Sequence, residues 1–404
     1  MAVTTLKRQL GLVGSMAIGM SAMLGAGVFY VWAPAYERAG SWLLVSLGLA
    51  GVVATLNGLS TLQLAIQMPV SGGIYSYGRH YLGHYPGFMA GWLFLTGKIG
   101  SAAAIAYVAA SYLAPDFAKI IAVAAISVMS ALIMSGIRLA ARVSIVMSLV
   151  VALGLLWLAL PREVWAEPIA LGADGSFVAV VSAAGLIFFA FAGYARMATL
   201  GEEVINPTRV LPRAIIGSLW VVFVIYFVVA TAVMPHLEQS ASPSTSPLVV
   251  LAGPTPWLVV ALASLASLGS LMAILAGLSR TSLAMARNAD LPQSLAKISA
   301  RTGGPVVSEV VIALLAIALV VFTNPLWLVG LSSAGVLTYY ALGHASALRQ
   351  PASERIVWRV VPVLGLVLCA LLVVTLPWQS LLAAIVSAVL GSLWFVISRA
   401  KSSN

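Results

Sequence analysis

Long apolar runs alternate with short polar stretches from one end of the chain to the other. Each run has about the 17–25 residues that an α-helix needs to cross a bilayer, and the longer runs are expected to tilt. The division between the ninth and tenth runs depends on the turn signal Asn324-Pro325. The pattern predicts twelve membrane-spanning helices, near residues 9–33, 41–67, 86–114, 118–136, 143–160, 177–197, 211–234, 254–279, 305–323, 326–347, 357–376 and 378–397.

The positions of lysine and arginine predict an orientation for these helices. Twelve spans place both termini on one side, and most of the 21 Lys and Arg residues fall on that side. The opposite side has only Arg38, Lys119 and Arg162. Because positively charged loops stay in the cytoplasm, we expect both termini to be cytoplasmic in a multi-pass protein of the cell (plasma or inner) membrane.

The composition excludes a soluble protein. Of the 404 residues, 61% are hydrophobic and only 8% are charged, and the mean hydropathy is +1.06. A soluble fold of this length cannot bury so much apolar surface, so we expect an all-α polytopic membrane protein. The net charge of +10 suits loops that face anionic lipid and requires no nucleic-acid partner. The single cysteine, Cys369, offers neither a disulfide nor a cysteine metal site, and no cofactor is expected.

The first apolar segment contains a candidate break at Gly25-Ala26-Gly27. Glycine destabilises a helix interior by about 1 kcal/mol relative to alanine. A broken helix is tolerated at membrane depth only where the freed backbone is buried in protein or lines a cavity. The free amides of a half-helix N-terminus could then bind an anionic group. Close packing of two membrane helices would explain the same small residues, and this segment alone leaves both interpretations open.

The sixth segment contains a second candidate break. Between Gly185 and Tyr194, aromatic residues alternate with alanine and glycine, and Gly193 is the predicted break. Many transporters contain inverted repeats, each of which contributes one discontinuous helix to a shared site at the bilayer midplane. Two breaks at corresponding positions therefore favour a functional site. We predict a first repeat in residues 1–160, a second repeat in residues 161–350, and two further helices with a cytoplasmic tail in residues 351–404.

Four sequence blocks resemble those of the amino acid–polyamine–organocation (APC) superfamily of transporters, which have the LeuT-type fold. They occur in the same order and cover nearly the whole chain: 25–29, 69–77, 189–194 with 201–215, and 279–280 with 285–292. The resemblance implies a 5+5 inverted repeat plus two C-terminal helices, and alternating access. It also implies a short helix after the second segment.

The resemblance further implies where an amino acid would bind. In such transporters, backbone amides of the first break hold the carboxylate, here those of Gly25, Ala26 and Gly27. Carbonyls of the second break hold the α-ammonium group, here those of Phe189, Ala190 and Phe191. Two roles stay open for the Phe191 ring: it is either a gate or wall of the pocket, or it packs in the core. The implied substrate-binding set is Ser21, Ala22, Gly25, Ala26, Gly27, Phe188, Phe189, Ala190, Phe191, Ala192 and Gly193.

The acidic residues restrict the substrate. All 11 Asp and Glu residues fall in predicted loops or at helix ends, so the site offers no carboxylate to a cationic side chain. We therefore predict a secondary active transporter of a neutral, small or apolar amino acid that works without sodium. An exporter and a polyamine or cationic amino acid carrier of the same superfamily are alternatives. Import, export or exchange, proton coupling and the oligomeric state stay open.

Lys98 lies well inside the third apolar run. An ionisable residue within the membrane indicates function by default, although a lysine can also snorkel to the interface. Sodium-independent relatives often place a lysine from segment five between segments one and eight, where this chain has Val151. We predict that Lys98 supplies the missing charge near Ser21 and Ser270. Because a buried ammonium group gives up its proton readily, Lys98 is also the candidate coupling group.

Two further groups of polar residues have predicted roles. Glu202 and Glu203 are expected to pair with Arg280 or Arg287 at a cytoplasmic gate, and Arg196 is expected to have a structural role.

An integral membrane enzyme is the alternative from a different class. His80 and His84 have a spacing that suits a metal pair on a helix. The nearest acidic residues are Glu37 and Asp116, so no metalloprotease motif is present. We expect neither an enzyme nor a metal site.

Overall fold

The computed structural model describes residues 8–70, 72–135, 137–160, 176–194, 197, 203–238, 247–323, 325–376 and 378–402. Within these ranges the chain forms fifteen α-helices: α1 (Leu12–Met23), α2 (Ala26–Tyr30), α3 (Trp32–Ala39), α4 (Leu43–Gln67), α5 (Ile74–Tyr81), α6 (His84–Leu113), α7 (Ala118–Met134), α8 (Ile137–Ala159), α9 (Phe177–Phe191), α10 (Pro207–Glu238), α11 (Pro256–Arg287), α12 (Val306–Phe322), α13 (Pro325–Arg349), α14 (Val360–Val374) and α15 (Trp378–Ser402).

Each of the twelve predicted apolar segments contains a helix, so the predicted fold class is confirmed. Within the described residues, seven helical stretches are long and apolar enough to cross a membrane, and four shorter apolar helices accompany them. Several helices are longer than their apolar runs. For example, α10 begins at Pro207 and α11 continues to Arg287. Their polar ends can remain helical because long basic side chains reach the headgroup region while their stems stay in apolar surroundings.

The helix α6 lies in the interior of the bundle, packed against α7, α11, α13 and α15. Small residues let α13 approach it closely. A Cβ at Gly335 of α13 would lie 2.9 Å from the carbonyl oxygen of Leu93, and one at Gly97 would lie 3.5 Å from that of Leu331. This close crossing holds the next residue of α6, Lys98, inside the protein.

Two of the membrane helices are interrupted, and their interruptions meet. The first lies between α1 and α2, and the second lies where α9 ends and a 3-10 turn follows at Ala192–Tyr194. The turn packs against α1, while α2 packs against α9. The structure therefore brings both predicted breaks to one place.

The side of the bundle on which α1 begins is called the N-terminal face below. On this face Leu10 forms a short parallel bridge with Val204. The helix α5, which follows α4 and precedes α6 along the chain, also lies on this face. It confirms the short helix that the resemblance implied. The turn before it uses Gly72 and Gly73, whose φ angles of 99° and 57° favour glycine.

Candidate functional site

The first interruption leaves a helix start that faces the middle of the bundle. The backbone leaves the helical region at Leu24 (ψ 47°), and Gly25 is extended (φ −103°, ψ −156°). The Gly25 amide already donates to the carbonyl oxygen of Met23 at 2.7 Å. The first amides of α2, those of Ala26 and Gly27, have no intrahelical acceptor. They carry the positive end of the helix dipole.

The half-helix that begins at Ala26 is longer than α2 alone. Val31 has helical angles (φ −68°, ψ −22°), and its amide donates to Gly27. The amide of Ala35 donates in turn to Val31 at 3.1 Å. Helical hydrogen bonding therefore continues through α3, which adds to the dipole at Ala26.

The second interruption leaves a helix end with the opposite polarity. The amide of Ala192 turns back to the carbonyls of Phe188 and Phe189. Two later carbonyls accept side-chain donors instead: Ala190 accepts from the Tyr226 hydroxyl at 3.1 Å, and Ala192 accepts from Lys98 Nζ at 3.1 Å. The end of α9 thus attracts hydrogen-bond donors and positive charge.

Glycines let the two interruptions touch. A Cβ at Gly27 would lie 2.8 Å from the Cα of Ala190. A Cβ at Gly193 would overlap the carbonyl group of Ala22 and lie 2.6 Å from the amide nitrogen of Met23. These contacts are with backbone, which cannot rotate away, so only glycine fits at these positions.

A small cavity remains between the interruptions. Its volume is about 10 Å³, which is room for roughly one water molecule. This volume is too small to hold an amino acid. The lining residues are Ala22, Met23, Gly25, Gly27, Lys98, Ser101, Ile105, Phe189, Ala190, Gly193, Ser270 and Ile274.

Five residues of the predicted set are outside this lining. The hydroxyl of Ser21 packs against Gly269. The Phe188 ring lies edge-on to Tyr340, with ring centroids 6.0 Å apart. Ala26 and Ala192 also lie outside the lining, although both belong to the interruptions.

The fifth residue, Phe191, points away from the cavity. Its ring contacts Tyr226 at a centroid distance of 4.9 Å and stacks on Phe223 at 6.5 Å. It lines a groove of about 340 Å³ between α4 and α10.

Lys98 is 4% exposed, and its ammonium group caps the end of α9 through Ala192. Ser270 lies across the same cavity, where its hydroxyl donates to the carbonyl of Ala22 at 3.1 Å. A Cβ at Gly25 would overlap the Ser270 side chain, so these two residues are in direct contact. The structure brings Lys98 and Ser270 together at the cavity.

Two polar residues at the site were not predicted from the sequence. Tyr226 of α10 places its hydroxyl 2.6 Å from the Met23 carbonyl and 3.1 Å from that of Ala190, so it bridges both interruptions. Nothing distinguishes this tyrosine within its apolar run. Ser101 could have been predicted from its spacing, because it lies one turn after Lys98 on the same face of α6.

A buried ion pair closes the N-terminal face. Arg280 Nε lies 2.8 Å from Glu203 Oε1, and the two side chains are 3% and 2% exposed. The carbonyl of Glu203 also accepts the amides of Gln9 and Leu10, at 2.8 and 3.0 Å. The predicted pairing of this acidic block with Arg280 is confirmed for Glu203. The pair ties the start of α1, the segment before α10 and the end of α11 together.

Asp290 joins several elements on the same face. Its carboxylate accepts from Tyr75 at 2.7 Å and from Arg79 at 2.8 Å, and it lies 2.6 Å from His84 Nε2. Burial and the hydrogen bond to Asp290 raise the pKa of Tyr75, so this hydroxyl stays a donor. His80 and His84 lie in different helices, so they do not form a pair on one helix, although their spacing would suit one.

Three of the sequence predictions concern residues outside the described ranges. These are the structural role of Arg196, the pairing of Glu202 and the turn at Asn324.

Comparison with known proteins gives the family. The sequence model of the amino acid permease family matches residues 10–398. An uncharacterized transporter of Mycobacterium tuberculosis (strain ATCC 25618 / H37Rv) is 42% identical over 398 residues, which cover 96% of this chain and 90% of that protein. The branched-chain amino acid permease BcaP of Bacillus subtilis (strain 168) is 26% identical over 444 residues, covering 98% of this chain and 94% of the permease.

A solved structure matches the fold. It is the substrate-bound, outward-open state of a Na⁺-coupled sialic acid symporter, with a TM-score of 0.60, 12% identity, and coverage of 93% of this chain and 90% of that one. At this identity the likeness concerns the fold alone, and that fold is of the LeuT type. The chain therefore belongs to the amino acid permease family of the APC superfamily and is a multi-pass membrane protein with a LeuT-type fold.

Proposed function

We propose that this protein is a secondary active transporter of a neutral, small or apolar amino acid. One observation carries the proposal: the amide end of α2 and the carbonyl end of α9 face one buried cavity. The amides of Ala26 and Gly27 suit a carboxylate, and the carbonyls of Phe189, Ala190 and Phe191 suit an ammonium group. A zwitterionic amino acid placed between them needs no charged side chain of the protein to bind its carboxylate and ammonium groups.

The lining of the cavity supports a neutral substrate side chain. No acidic residue lines the cavity among the described residues, whereas Lys98 does. A cationic amino acid or a polyamine would bring a second positive charge next to this ammonium group without a carboxylate to offset it. The rest of the lining consists of apolar residues, glycines and two serines. The name of the Bacillus subtilis relative, a branched-chain permease, agrees with an apolar substrate.

The small volume of the cavity supports transport by alternating access. The site admits about one water molecule, so the two interrupted helices must separate to admit an amino acid. The ion pair Glu203–Arg280 holds the N-terminal face closed in this conformation. We place this face in the cytoplasm of a cell membrane on the distribution of lysine and arginine. The repeat boundaries near residues 160 and 350 belong to the same proposal.

Lys98 is the internal cation of this scheme, which uses no sodium. Its ammonium group caps the Ala192 carbonyl, at the same helix end that we assign to the substrate ammonium group. Substrate binding then displaces the lysine or removes its proton, which would couple transport to protons. Ser270 and Ser21 lie on the neighbouring helices, where they line the proposed coupling region.

We expect Lys98→Met to abolish the pH dependence of substrate binding. If binding removes the Lys98 proton, wild-type affinity rises with pH by up to about tenfold per pH unit. Affinity would be measured by thermal shift at two pH values, with Lys119→Met as the control because Lys119 is exposed and donates to Val321 at 3.0 Å. A Lys98 variant with unchanged transport and unchanged pH dependence would exclude the lysine as the coupling group.

The substrate class is tested by a thermal-shift screen of purified protein against the twenty amino acids and common polyamines. A ligand that binds only the folded protein raises its apparent stability by mass action. We expect shifts with one group of neutral amino acids, followed by their counterflow in liposomes. Shifts with polyamines alone, together with polyamine counterflow, would contradict the proposed substrate and leave the fold unchanged.

A further inference from the structure

The last helix, α15, ends against Asp290 and its partners on the N-terminal face. Trp394 Nε1 donates to the backbone carbonyl of Asp290 at 3.1 Å. Further along α15, the Arg399 guanidinium donates to Nδ1 of His84, the first residue of α6. His84 Nε2 in turn lies 2.6 Å from the Asp290 carboxylate. The end of α15 is therefore joined both to the start of α6 and to the segment that follows α11.

Aromatic packing places the end of α15 at the same position. The ring of Phe395 lies 5.0 Å from that of His84, measured between centroids. The Arg399 guanidinium carbon lies 4.9 Å from the centroid of the Phe395 ring, a cation–π contact. One turn earlier, a Cβ at Gly391 would lie 2.6 Å from the indole of Trp92 on α6. The helix α15 thus fits closely on α6, and this fit holds the guanidinium next to the imidazole.

The contact with Arg399 determines the protonation state of His84. A guanidinium group has N–H donors and no acceptor. Nδ1 of His84 must therefore offer a lone pair to Arg399, and the single hydrogen of the ring is on Nε2. This hydrogen is donated to Asp290. The arrangement in the structure is that of a neutral imidazole.

A proton added at Nδ1 would break the contact between the two helices. The imidazolium has a donor at each nitrogen, so an N–H of His84 would face an N–H of Arg399. Two positive charges would also lie at hydrogen-bond distance and repel each other. At Nε2, by contrast, the imidazolium would form an ion pair with Asp290. Protonation therefore strengthens the link from α6 to the segment after α11 and removes the link from α6 to α15.

The neighbouring charges favour this separation. The charged and titratable groups of the described residues that contact His84 or Asp290 come from α5, the segment after α11, α15 and, for the residue next to His84, α6 itself: Tyr75, Arg79, Asp290, Arg399 and Tyr85. The Asp290 carboxylate already accepts from Tyr75 at 2.7 Å and from Arg79 at 2.8 Å. A charged His84 adds a further cation to this shared carboxylate, and the Arg399 guanidinium is the cation held through the imidazole.

Protons reach His84 directly from solvent. Its side chain is 28% exposed on the N-terminal face, whereas Asp290 is 4% exposed. Histidine is the side chain that changes charge near physiological pH. The group that joins α15 to α6 is therefore both accessible and titratable.

We propose that the end of α15 is a clamp on the N-terminal face that acid releases through protonation of His84. In the neutral state, α15 fastens the start of α6 and the segment after α11, which meet α5 at Asp290. In the protonated state, Arg399 leaves His84 and the last turns of α15 loosen. The N-terminal face then opens more readily, so acid on this side speeds transport. The effect on transport rests on the proposed function, whereas the release of α15 does not.

Hydrogen exchange of the backbone amides at the end of α15 tests the release. Purified wild type and His84→Gln would be compared at about pH 8 and about pH 6. Glutamine keeps a donor for Asp290 and does not titrate. Comparing two proteins at the same pH cancels the intrinsic effect of pH on exchange. We expect the ratio of wild-type to variant exchange rates to rise by about threefold or more at the lower pH.

Two further variants make this result specific. His84→Asn, which offers a carbonyl oxygen to Arg399 and does not titrate, should give the same ratio as His84→Gln. His80→Gln, which changes an exposed histidine of α5, should exchange like the wild type at both pH values. A ratio that is equal at both pH values would overturn the proposal. So would faster exchange in both His84 variants by the same factor at each pH, because His84 would then be a structural contact only.

Counterflow in liposomes at the same two pH values tests the effect on transport, using saturating amounts of the amino acid that the screen identifies. We expect the ratio of wild-type to His84→Gln rates to rise by about twofold or more at the lower pH. An unchanged ratio, together with pH-dependent exchange, would overturn the role of the clamp in transport. The absence of wild-type counterflow for every amino acid, together with pH-dependent exchange, would support the clamp and contradict the proposed function.

Discussion

We expect Gly193→Ala to reduce amino acid uptake by about ten- to a hundredfold, because overpacking of this kind costs about 1–3 kcal/mol. The added methyl group would overlap the Ala22 carbonyl and press on the Met23 amide. Both contacts are with backbone at the first interruption, so no side-chain rotation relieves them. The substitution disfavours the arrangement in which the two interruptions touch, and the proposed alternating-access cycle passes through this arrangement. Initial uptake rates in liposomes measure the effect.

Gly185→Ala is the matched control on the same interrupted membrane segment, within α9. A Cβ at Gly185 would have its nearest neighbour at 3.5 Å, the Leu376 side chain, which is an ordinary contact. We expect its uptake to stay within about twofold of the wild type. Equal uptake by Gly193→Ala and Gly185→Ala would contradict the close contact between the two interruptions.

Glu203→Ala should lower the free energy of unfolding by about 3–5 kcal/mol, the range for a buried ion pair that loses one partner. Arg280 would remain buried at 3% exposure without its partner at 2.8 Å. The variant loses the side-chain link to α11, whereas the backbone carbonyl at position 203 keeps its hydrogen bonds to the amides of Gln9 and Leu10. Equilibrium unfolding in mixed detergent measures the change.

The double variant Glu203→Leu with Arg280→Met separates the charge effect from packing. Replacing a buried pair by apolar residues of similar size is often neutral or stabilising. We expect most of the lost stability to return, although Glu309, which interacts with Arg280, limits the recovery. A double variant that is less stable than Glu203→Ala would contradict this expectation. It would show that the intact ion pair stabilises the protein by more than the cost of leaving Arg280 unpaired.

The sequence alone predicts the fold and the position of the site because both depend on local patterns. Apolar runs and turn signals predict the helices, and the glycines near residues 25 and 193 predict the two interruptions. The exact helix start required the structure, since Gly25 is extended and α2 begins at Ala26. The structure was also needed to identify Arg280 as the partner of Glu203, because the sequence offers several arginines on the same face.

Side-chain direction within the apolar helices could not be predicted. A membrane helix that is apolar on all sides has no hydrophobic stripe to show which side faces the site. Phe191 therefore looked like a candidate for the pocket wall, whereas its ring packs on Phe223 and Tyr226. Tyr226 itself gave no signal, because its role depends on two carbonyls from helices distant in sequence.

Competition by modified substrates tests the zwitterion site most directly. Uptake of the labelled amino acid in liposomes would be challenged with the unlabelled amino acid, its methyl ester and its N-acetyl derivative. The ester lacks the carboxylate that the Ala26 and Gly27 amides would bind, and the N-acetyl derivative lacks the ammonium group that the carbonyls of α9 would bind. We expect inhibition by the unmodified amino acid and a loss of about tenfold or more in potency for each derivative, because each loses a charge-assisted set of hydrogen bonds. Equal inhibition by all three compounds would contradict binding of the substrate between the two interrupted helices.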